Sequence, residues 1–130
     1  MTEKSAVRTE QAPAPFEGSP YSQAIRAGAF VFVSGQLGVL PGSGELAGEG
    51  ITEQTEQVFS NLRAILEAAG SGLDRIVKTT VYLMSLADFP AMNDVYRRHV
   101  GAVPPARATA QISGLPSGAL IEIEVVALAD

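Results

Sequence analysis

The sequence contains no cysteine, and histidine occurs once among its 130 residues. Without thiols there are no disulfide bonds, no cysteine nucleophiles and no thiolate metal sites. The single histidine, His99, follows Arg97 and Arg98 near the end of a predicted helix and is interpreted as a surface or capping residue. It has no partner at the spacing of a metal site or of a nucleophilic pair, so we expect no bound metal.

Positive charge is also scarce. Nine lysines and arginines stand against 14 aspartates and glutamates, which gives a net charge of −5. The basic residues are scattered along the chain, and Arg97 and Arg98 form the one adjacent pair. Because proteins that grip nucleic acid usually carry a basic patch, the sequence disfavours a nucleic-acid partner.

Long apolar segments are missing as well. No apolar run exceeds five residues, the length of residues 29–33, so the sequence predicts no membrane span. Residues 1–18 contain no apolar segment of the kind found in secretory signals. We therefore expect a cytoplasmic protein by default.

The chain has the composition of one folded domain, with 46% hydrophobic and 18% charged residues. Residues 1–17 carry charges, Pro13 and Pro15 without a sustained period, and we expect an N-terminal arm with room for one short edge strand. Residues 18–130 are expected to form a single domain. Turn residues at both ends of 18–28 predict a loop there.

The rest of the chain shows alternating strand and helix patterns. Clusters of β-forming residues predict strands over 29–34, with a continuation or second strand over 36–40, and then over 75–84, 107–112 and 120–126. Apolar periodicity predicts helices over 53–69 and from 89 to about 100, capped by Thr52 and Asp88, with Gly70 ending the first. This order predicts an α+β fold with a mixed sheet and two helices on one face.

The predicted sheet is apolar on both faces. In residues 76–84, alternation directs Val77, Val81 and Leu83 one way and Ile76, Tyr82 and Met84 the other. In the last strand, the apolar residues Leu120, Val126 and Leu128 share a face with the glutamates. Since no third helix is available to cover the second face, another copy of the chain is the expected cover.

The two C-terminal strands also carry charges. Arg107, Thr109 and Gln111 share one face of the first strand, and Glu122 and Glu124 share one face of the second. If another copy closes the second face, the arginine and the glutamates are expected in or beside that interface, where charges are costly unless they are paired or bound to a ligand. Either Arg107 pairs with a glutamate and locks the interface, or it holds a ligand carboxylate by two parallel hydrogen bonds. The spacing of the residues does not choose between these interpretations.

Five segments resemble the YjgF family, the reactive intermediate deaminases (RidA), between Ser19 and Ala127. They are SPYSQA at 19–24, FVSGQLG at 32–38, NLRAILEAAGSGLDRIVKTTVYL at 61–83, FPAMNDVYRRHV at 89–100 and PPARATAQISGLPSGALIEIEVVA at 104–127. The resemblance implies a chorismate-mutase-like α+β fold assembled as a homotrimer around a central barrel, with ligand clefts between adjacent subunits. It also implies hydrolysis of 2-imino acids and their enamines to 2-oxo acids and ammonia, without a cofactor.

The same resemblance suggests roles for individual residues. Arg107 matches the arginine that binds the substrate carboxylate, and Glu122 matches a glutamate that orients or deprotonates water. Tyr21 matches a loop tyrosine that closes over the ligand, although a packed anchor is nearly as good an interpretation. Ser34 and Gly35 match the turn that lines the cleft, where Gly35 presents a backbone N–H or forms a bulge.

Three further positions complete the expected site. Asn93 matches a helix asparagine near the cleft, with a structural amide as the favoured interpretation. Thr109 stands where many members have cysteine, and its hydroxyl can still donate a hydrogen bond. Ser19 replaces a glycine of the family loop, and serine adopts positive φ only at a cost. The last two differences concern substrate preference more than fold.

Other functions stay open at this point. The chain could be a regulatory trimer that binds a small 2-oxo acid without turnover, or a deaminase of a different imine. Cleavage of RNA, a role claimed for some relatives, is disfavoured by the acidic charge. Fold alone does not decide among these functions.

Overall fold

The computed structural model describes residues 3–130, which form six strands and two α-helices. The strands are β1 Lys4–Val7, β2 Ala24–Ala27, β3 Phe30–Leu37, β4 Ile76–Leu83, β5 Ala106–Gln111 and β6 Ile121–Leu128. Helix α1 runs over Ile51–Ala68 between β3 and β4, and helix α2 over Phe89–His99 between β4 and β5. Neither helix combines the length and apolar composition that crossing a bilayer requires.

All strands join one sheet in the order β1-β2-β3-β6-β4-β5. Neighbouring strands are antiparallel except β4 and β5, which are parallel because α2 carries the chain back between them. The helices lie together on one face, where α1 packs on α2, β3 and β6. Apolar residues of both helices and of the sheet form a single large core there. The predicted α+β fold with a mixed sheet is confirmed.

Helix α1 has a different start from the one predicted. It begins at Ile51 with Gly50 as N-cap, so the predicted cap at Thr52 is wrong. The Glu53 carboxylate accepts a hydrogen bond of 3.2 Å from the backbone N–H of Gly50. A Cβ on Gly50 would lie 2.9 Å from both carboxylate oxygens, so glycine leaves room for this contact. At the other end, Gly70 adopts the positive φ expected of it.

Helix α2 begins at Phe89, as predicted. Asp88 occupies the N-cap position, but its side chain makes no capping hydrogen bond, so that part of the prediction is wrong. The turn just before the helix is instead fixed by Ser85, whose hydroxyl accepts the N–H of Ala87 at 3.2 Å. Gly101, with φ of 79°, follows the end of the helix.

Strand β2 lies inside the segment predicted as a loop. Its four residues pair with β1 on one side and β3 on the other, so the loop prediction is wrong for 24–27. The strand is short and contains one strong β-former, Ile25, so pairing with its neighbours rather than local propensity decides its conformation. Strand β1 lies at the sheet edge within the residues expected to form the arm.

Strand β4 contains an irregularity that reverses part of the predicted alternation. The register with β6 shifts between Ile76 and Lys78. Ile76 consequently joins the core with Val81 and Leu83, whereas Val77 is 37% exposed. The assignment of Val77 to the same face as Val81 and Leu83 is therefore wrong, because a bulge shifts the alternation by one residue.

The face of the sheet away from the helices, called the helix-free face below, is apolar in the single chain. Phe30 and Phe32 are 40% and 47% exposed there. They pair in register with Leu128 and Val126 of β6, which are half-buried. This is the apolar surface that the prediction of a homo-oligomer requires.

Candidate functional site

An open cleft of about 300 Å³ lies beside the β-bulge of β3. Four of the predicted site residues line it: Tyr21, Ser34, Gly35 and Glu122. The remaining walls come from Pro13, Ala14 and Phe16 of the N-terminal arm, from Gln23, and from Gln36, Leu37 and Val39. We call this space the glutamate cleft.

Gly35 sits at the bulge and touches the glutamate. Val33 pairs with Val125 and Gln36 with Ile123, so two residues of β3 oppose one residue of β6. A Cβ on Gly35 would lie 2.6 Å from Oε1 of Glu122. Only glycine therefore lets the carboxylate lie against the backbone of the bulge.

The Glu122 carboxyl group is partly withdrawn from water. Burial raises its pKa above the ordinary glutamate value, and the nearby Glu124 charge raises the pKa further. Glu124 itself accepts a hydrogen bond of 2.6 Å from the hydroxyl of Tyr82. A carboxylate with a raised pKa accepts a proton more readily near neutral pH, as a general base must.

Ser34 and Tyr21 fasten the loop that borders the glutamate cleft. The Ser34 hydroxyl donates to the carbonyl of Ser22 at 2.6 Å, so its proton is already engaged within the chain. The Tyr21 hydroxyl oxygen accepts the N–H of Phe16 at 2.9 Å. Tyr21 is thus a loop anchor, yet it is 42% exposed and its own hydroxyl proton remains available to a ligand.

Gln23 is a cleft residue that the sequence patterns did not single out. Its side chain is 3% exposed. The amide group of the side chain forms hydrogen bonds with the backbone of the arm at Thr9, Ala12 and Pro13. An uncharged residue within a loop motif gives no sequence signal for such a role.

Arg107 lies elsewhere, on the helix side of the sheet. Parallel pairing of β5 with β4 sets Arg107 opposite Thr79, which is fully buried beneath α2. The guanidinium carbon lies 4.7 Å from the ring centroid of Tyr96 and 5.2 Å from that of Phe89. Its Nη1 donates to Oδ1 of Asn93 at 2.8 Å.

The three α2 residues around the guanidinium form what we call the arginine cradle: Phe89, Asn93 and Tyr96. They follow one another at helical spacing on one side of α2. The hydroxyl of Tyr96 is hydrogen-bonded to Thr79 at 2.8 Å in the core, which fixes the ring beneath Arg107. Aromatic faces and an amide oxygen together hold the plane of the cation.

Arg107 makes no ion pair within residues 3–130. Glu122 and Glu124 lie on the helix-free face, so Arg107 and the glutamates occupy opposite faces of the sheet in one chain. The reason is the register of β5, which two-residue spacing alone does not reveal. Thr109, two residues along β5, is half-buried on the same side as Arg107.

The structure therefore divides the predicted site into two groups. One group surrounds the glutamate cleft, and the other consists of Arg107, Asn93 and Thr109 beside the arginine cradle. Among residues 3–130, no cluster of three or more histidine, aspartate or glutamate side chains is arranged to hold a metal ion.

His99 lies in the last turn of α2 but is largely buried, so the surface interpretation is wrong. Its side chain is 17% exposed, and its ring stacks on Phe59 with centroids 4.8 Å apart. Its Nε2 lies 2.6 Å from the Glu56 carboxylate of α1, which also pairs with Arg98 at 2.9 Å. The hydrogen bond from His99 and the positive charge of Arg98 lower the pKa of Glu56. This cluster ties the end of α2 to α1.

Known proteins are similar in sequence to this chain over nearly its whole length. Residues 9–129 match the family described as endoribonuclease L-PSP. Reactive Intermediate Deaminase A, chloroplastic, of Arabidopsis thaliana is 47% identical over 124 residues, which are 95% of this chain and 65% of the plant protein. The 2-iminobutanoate/2-iminopropanoate deaminase of Capra hircus is 42% identical over 122 residues, 94% of this chain and 88% of the goat protein.

Solved structures share the fold. The crystal structure of E. coli TdcF with bound serine matches with a TM-score of 0.88 at 34% identity, over 95% of this chain and 98% of TdcF. These matches confirm the resemblance carried by the five sequence segments. The chain belongs to the endoribonuclease L-PSP family, which includes the YjgF and RidA proteins.

Proposed function

We propose that this protein hydrolyses 2-imino acids, and the enamines that tautomerise to them, to 2-oxo acids and ammonia. Membership of a family with relatives named as imine deaminases supports this activity. The observation that carries the proposal is the state of Arg107, whose guanidinium is held by the arginine cradle without an ion pair in residues 3–130. A cation kept in this way suits a ligand carboxylate.

The proposed site is shared between two copies of the chain. Within one chain, Arg107 and Glu122 lie on opposite faces of the sheet, so one small substrate cannot touch both. A second copy that brings its arginine cradle to the glutamate cleft of the first supplies both groups. Such a contact joins two different surfaces, and contacts of this kind form a ring when the rotation between copies closes. A homotrimer, with the exposed Phe30 and Phe32 covered, fits this requirement.

The chemistry follows from the positions of these groups. Arg107 of one copy binds the carboxylate of the imino acid by two parallel N–H···O bonds, with Asn93 and the aromatic rings holding its plane. Glu122 of the next copy takes a proton from water as the water oxygen bonds to the imine carbon. The carbon–nitrogen double bond becomes a single bond, and the nitrogen receives the proton. Glu122 then takes the proton of the new hydroxyl group and delivers it to the amino nitrogen, so the carbon–nitrogen bond breaks, ammonia leaves and the 2-oxo acid remains.

Two further groups assist in this scheme. The free hydroxyl proton of Tyr21 and the hydroxyl of Thr109 donate hydrogen bonds to the ligand, each from its own side of the shared site. Because imines hydrolyse readily in water, positioning and one proton relay are enough to supply a useful acceleration.

A direct assay tests the activity. A threonine dehydratase generates 2-iminobutanoate in the cuvette, and the decay of the imine is followed with and without the purified protein. We expect acceleration by the wild type and a loss of roughly hundredfold in Arg107→Ala, because the carboxylate is no longer positioned. Arg97→Ala, which removes an arginine that is 69% exposed, is the matched control and should keep full activity. Full activity in Arg107→Ala would refute the assignment.

The regulatory alternative uses the same residues and is separated by a binding measurement. A protein that binds 2-oxobutanoate through Arg107 but leaves the lifetime of the imine unchanged is a ligand-binding trimer. The family description names an endoribonuclease, which makes RNA cleavage a second candidate. The net charge of −5, the Glu122 carboxyl group in the cleft and the nearby charge of Glu124 are unfavourable for a polyanion.

A further inference from the structure

One wall of the glutamate cleft comes from the N-terminal arm. This wall, called the arm wall below, consists of Pro13, Ala14 and Phe16. Phe16 is 47% exposed in the single chain and is the largest side chain of the three. Leu37 and Val39, which also line the cleft, are 5% exposed and belong to a small buried cluster, so they are fixed by packing.

Two side chains hold the arm wall in place. Oε1 of Gln23 accepts the N–H of Thr9 at 2.8 Å, and its Nε2 donates to the carbonyls of Thr9 at 3.0 Å, Pro13 at 2.9 Å and Ala12 at 3.3 Å. Tyr21 adds the bond to the N–H of Phe16. Residues 8–23 contain no strand or helix, so these side-chain bonds replace the ladder that would otherwise fix the backbone.

The proposed reaction assigns the rest of the cleft to the substrate. Arg107 of the neighbouring copy takes the carboxylate and Glu122 holds the water, so the carbon side chain of the imino acid extends toward the remaining apolar surface. The arm wall is anchored by hydrogen bonds, whereas Leu37 and Val39 are buried in a core. A small displacement of this wall changes how long a side chain the cleft accepts.

We infer that the arm wall selects the side chain of the substrate, with Phe16 as the specificity-determining residue and Gln23 as its positioning residue. The inference rests on the proposed function. Phe16 limits the space for carbon atoms beyond the second side-chain carbon. Gln23 touches no substrate and acts by keeping the backbone of Thr9, Ala12 and Pro13 against the cleft.

One experiment compares two substrates that differ only in the side chain. An L-amino acid oxidase produces 2-iminobutanoate from 2-aminobutanoate and 2-imino-4-methylpentanoate from leucine. The ratio of kcat/KM for the longer over the shorter imine is measured for each variant. We expect Phe16→Ala to raise this ratio by about tenfold or more, since one methylene in an apolar pocket is worth roughly tenfold at the least. Phe16→Leu should lie between Phe16→Ala and the wild type.

The role of Gln23 needs a separate readout. Gln23→Met keeps the length of the side chain and removes all four hydrogen bonds. We expect the substrate ratio to rise and KM for 2-iminobutanoate to increase severalfold with a smaller change in kcat, because Arg107 and Glu122 are untouched. Gln11→Ala, which removes an exposed glutamine of the same arm, is the matched control and should leave both values unchanged. If Gln23→Met and the wild type have the same ratio of kcat/KM for the two imines, Gln23 does not position the arm wall.

Calorimetric titration with 2-oxobutanoate and 4-methyl-2-oxopentanoate separates this inference from the proposed function. If the wild type turns over both imines and Phe16→Ala keeps the wild-type ratio, the arm wall does not set specificity although the deaminase assignment stands. If no imine is turned over but Phe16→Ala shifts binding toward the longer 2-oxo acid, the assignment fails and the arm wall still selects the ligand. Absence of both turnover and binding overturns both.

Discussion

Two inactive variants should restore activity when they are combined in one assembly. Arg107→Ala removes the carboxylate anchor, and Glu122→Gln removes the base while keeping the shape of its side chain. Since the two residues lie on opposite faces of one sheet, each proposed site takes its arginine from one copy and its glutamate from the next. A mixed assembly can therefore contain a site in which both native residues meet.

The size of the effect follows from counting. In a random mixture of equal amounts, a site has an intact arginine with a probability of about one half and an intact glutamate with the same independent probability. About one quarter of the sites are then complete, whatever the number of subunits in the ring. The mixture should show about 25% of the activity of the same amount of wild type.

The assay uses co-expressed variants that are purified as total protein, without selection for mixed assemblies, and follows the decay of 2-iminobutanoate. A second mixture gives an independent check: wild type combined with the double variant Arg107→Ala/Glu122→Gln should also show about one quarter of full activity if sites are shared. If each copy held a complete site, that mixture would give about one half and the two single variants would give only their residual activity. Either of these latter results would refute a shared site.

Three further predictions concern single residues. On the acid side, kcat/KM should fall as the pH drops through the raised pKa of Glu122, because the protonated carboxyl group cannot act as a base. Glu124→Gln should move this fall to slightly lower pH, because burial contributes more than the Glu124 charge to the raised pKa of Glu122. Gly35→Ala should destabilise the fold by about 1–3 kcal/mol in urea unfolding and impair activity, because the new Cβ meets the Glu122 carboxylate. Gly114→Ala is the control and should change neither, because a Cβ at Gly114 has no neighbouring atom within 4 Å. Glu56→Gln should lower the unfolding free energy by about 0.5–1 kcal/mol at pH 7, and the difference should disappear as the pH falls through the lowered pKa of this carboxyl group.

Much of the fold was predictable because its main elements carry strong periodic signals. Helix α1 repeats apolar residues at helical spacing, and β4 is rich in β-branched residues, so both were assigned within a few residues of their bounds. Strand β2 was missed because four residues with one strong β-former contain too little pattern. The bulge after Ile76 was missed because a register shift depends on the partner strand.

The site was predictable in its residue types but not in its arrangement. Arg107 and Glu122 stand out as charges in apolar strands, and the family resemblance assigned their roles. Which face Arg107 occupies depends on the parallel pairing of β5 with β4, which spacing within β5 cannot show. The role of Tyr96 was not predictable, because its contact with the guanidinium exists only in three dimensions.

The exposed phenylalanines of the helix-free face have a consequence for how the protein behaves on dilution. Surface of this kind is unfavourable in water, so a solitary chain is a high-energy state and association is favoured as concentration rises. If the proposed site also needs two copies, specific activity will not be constant per milligram: it will decline at high dilution as rings come apart, and recover on concentrating the sample. Enzyme assays run at nanomolar protein would then report the assembly equilibrium as much as the chemistry.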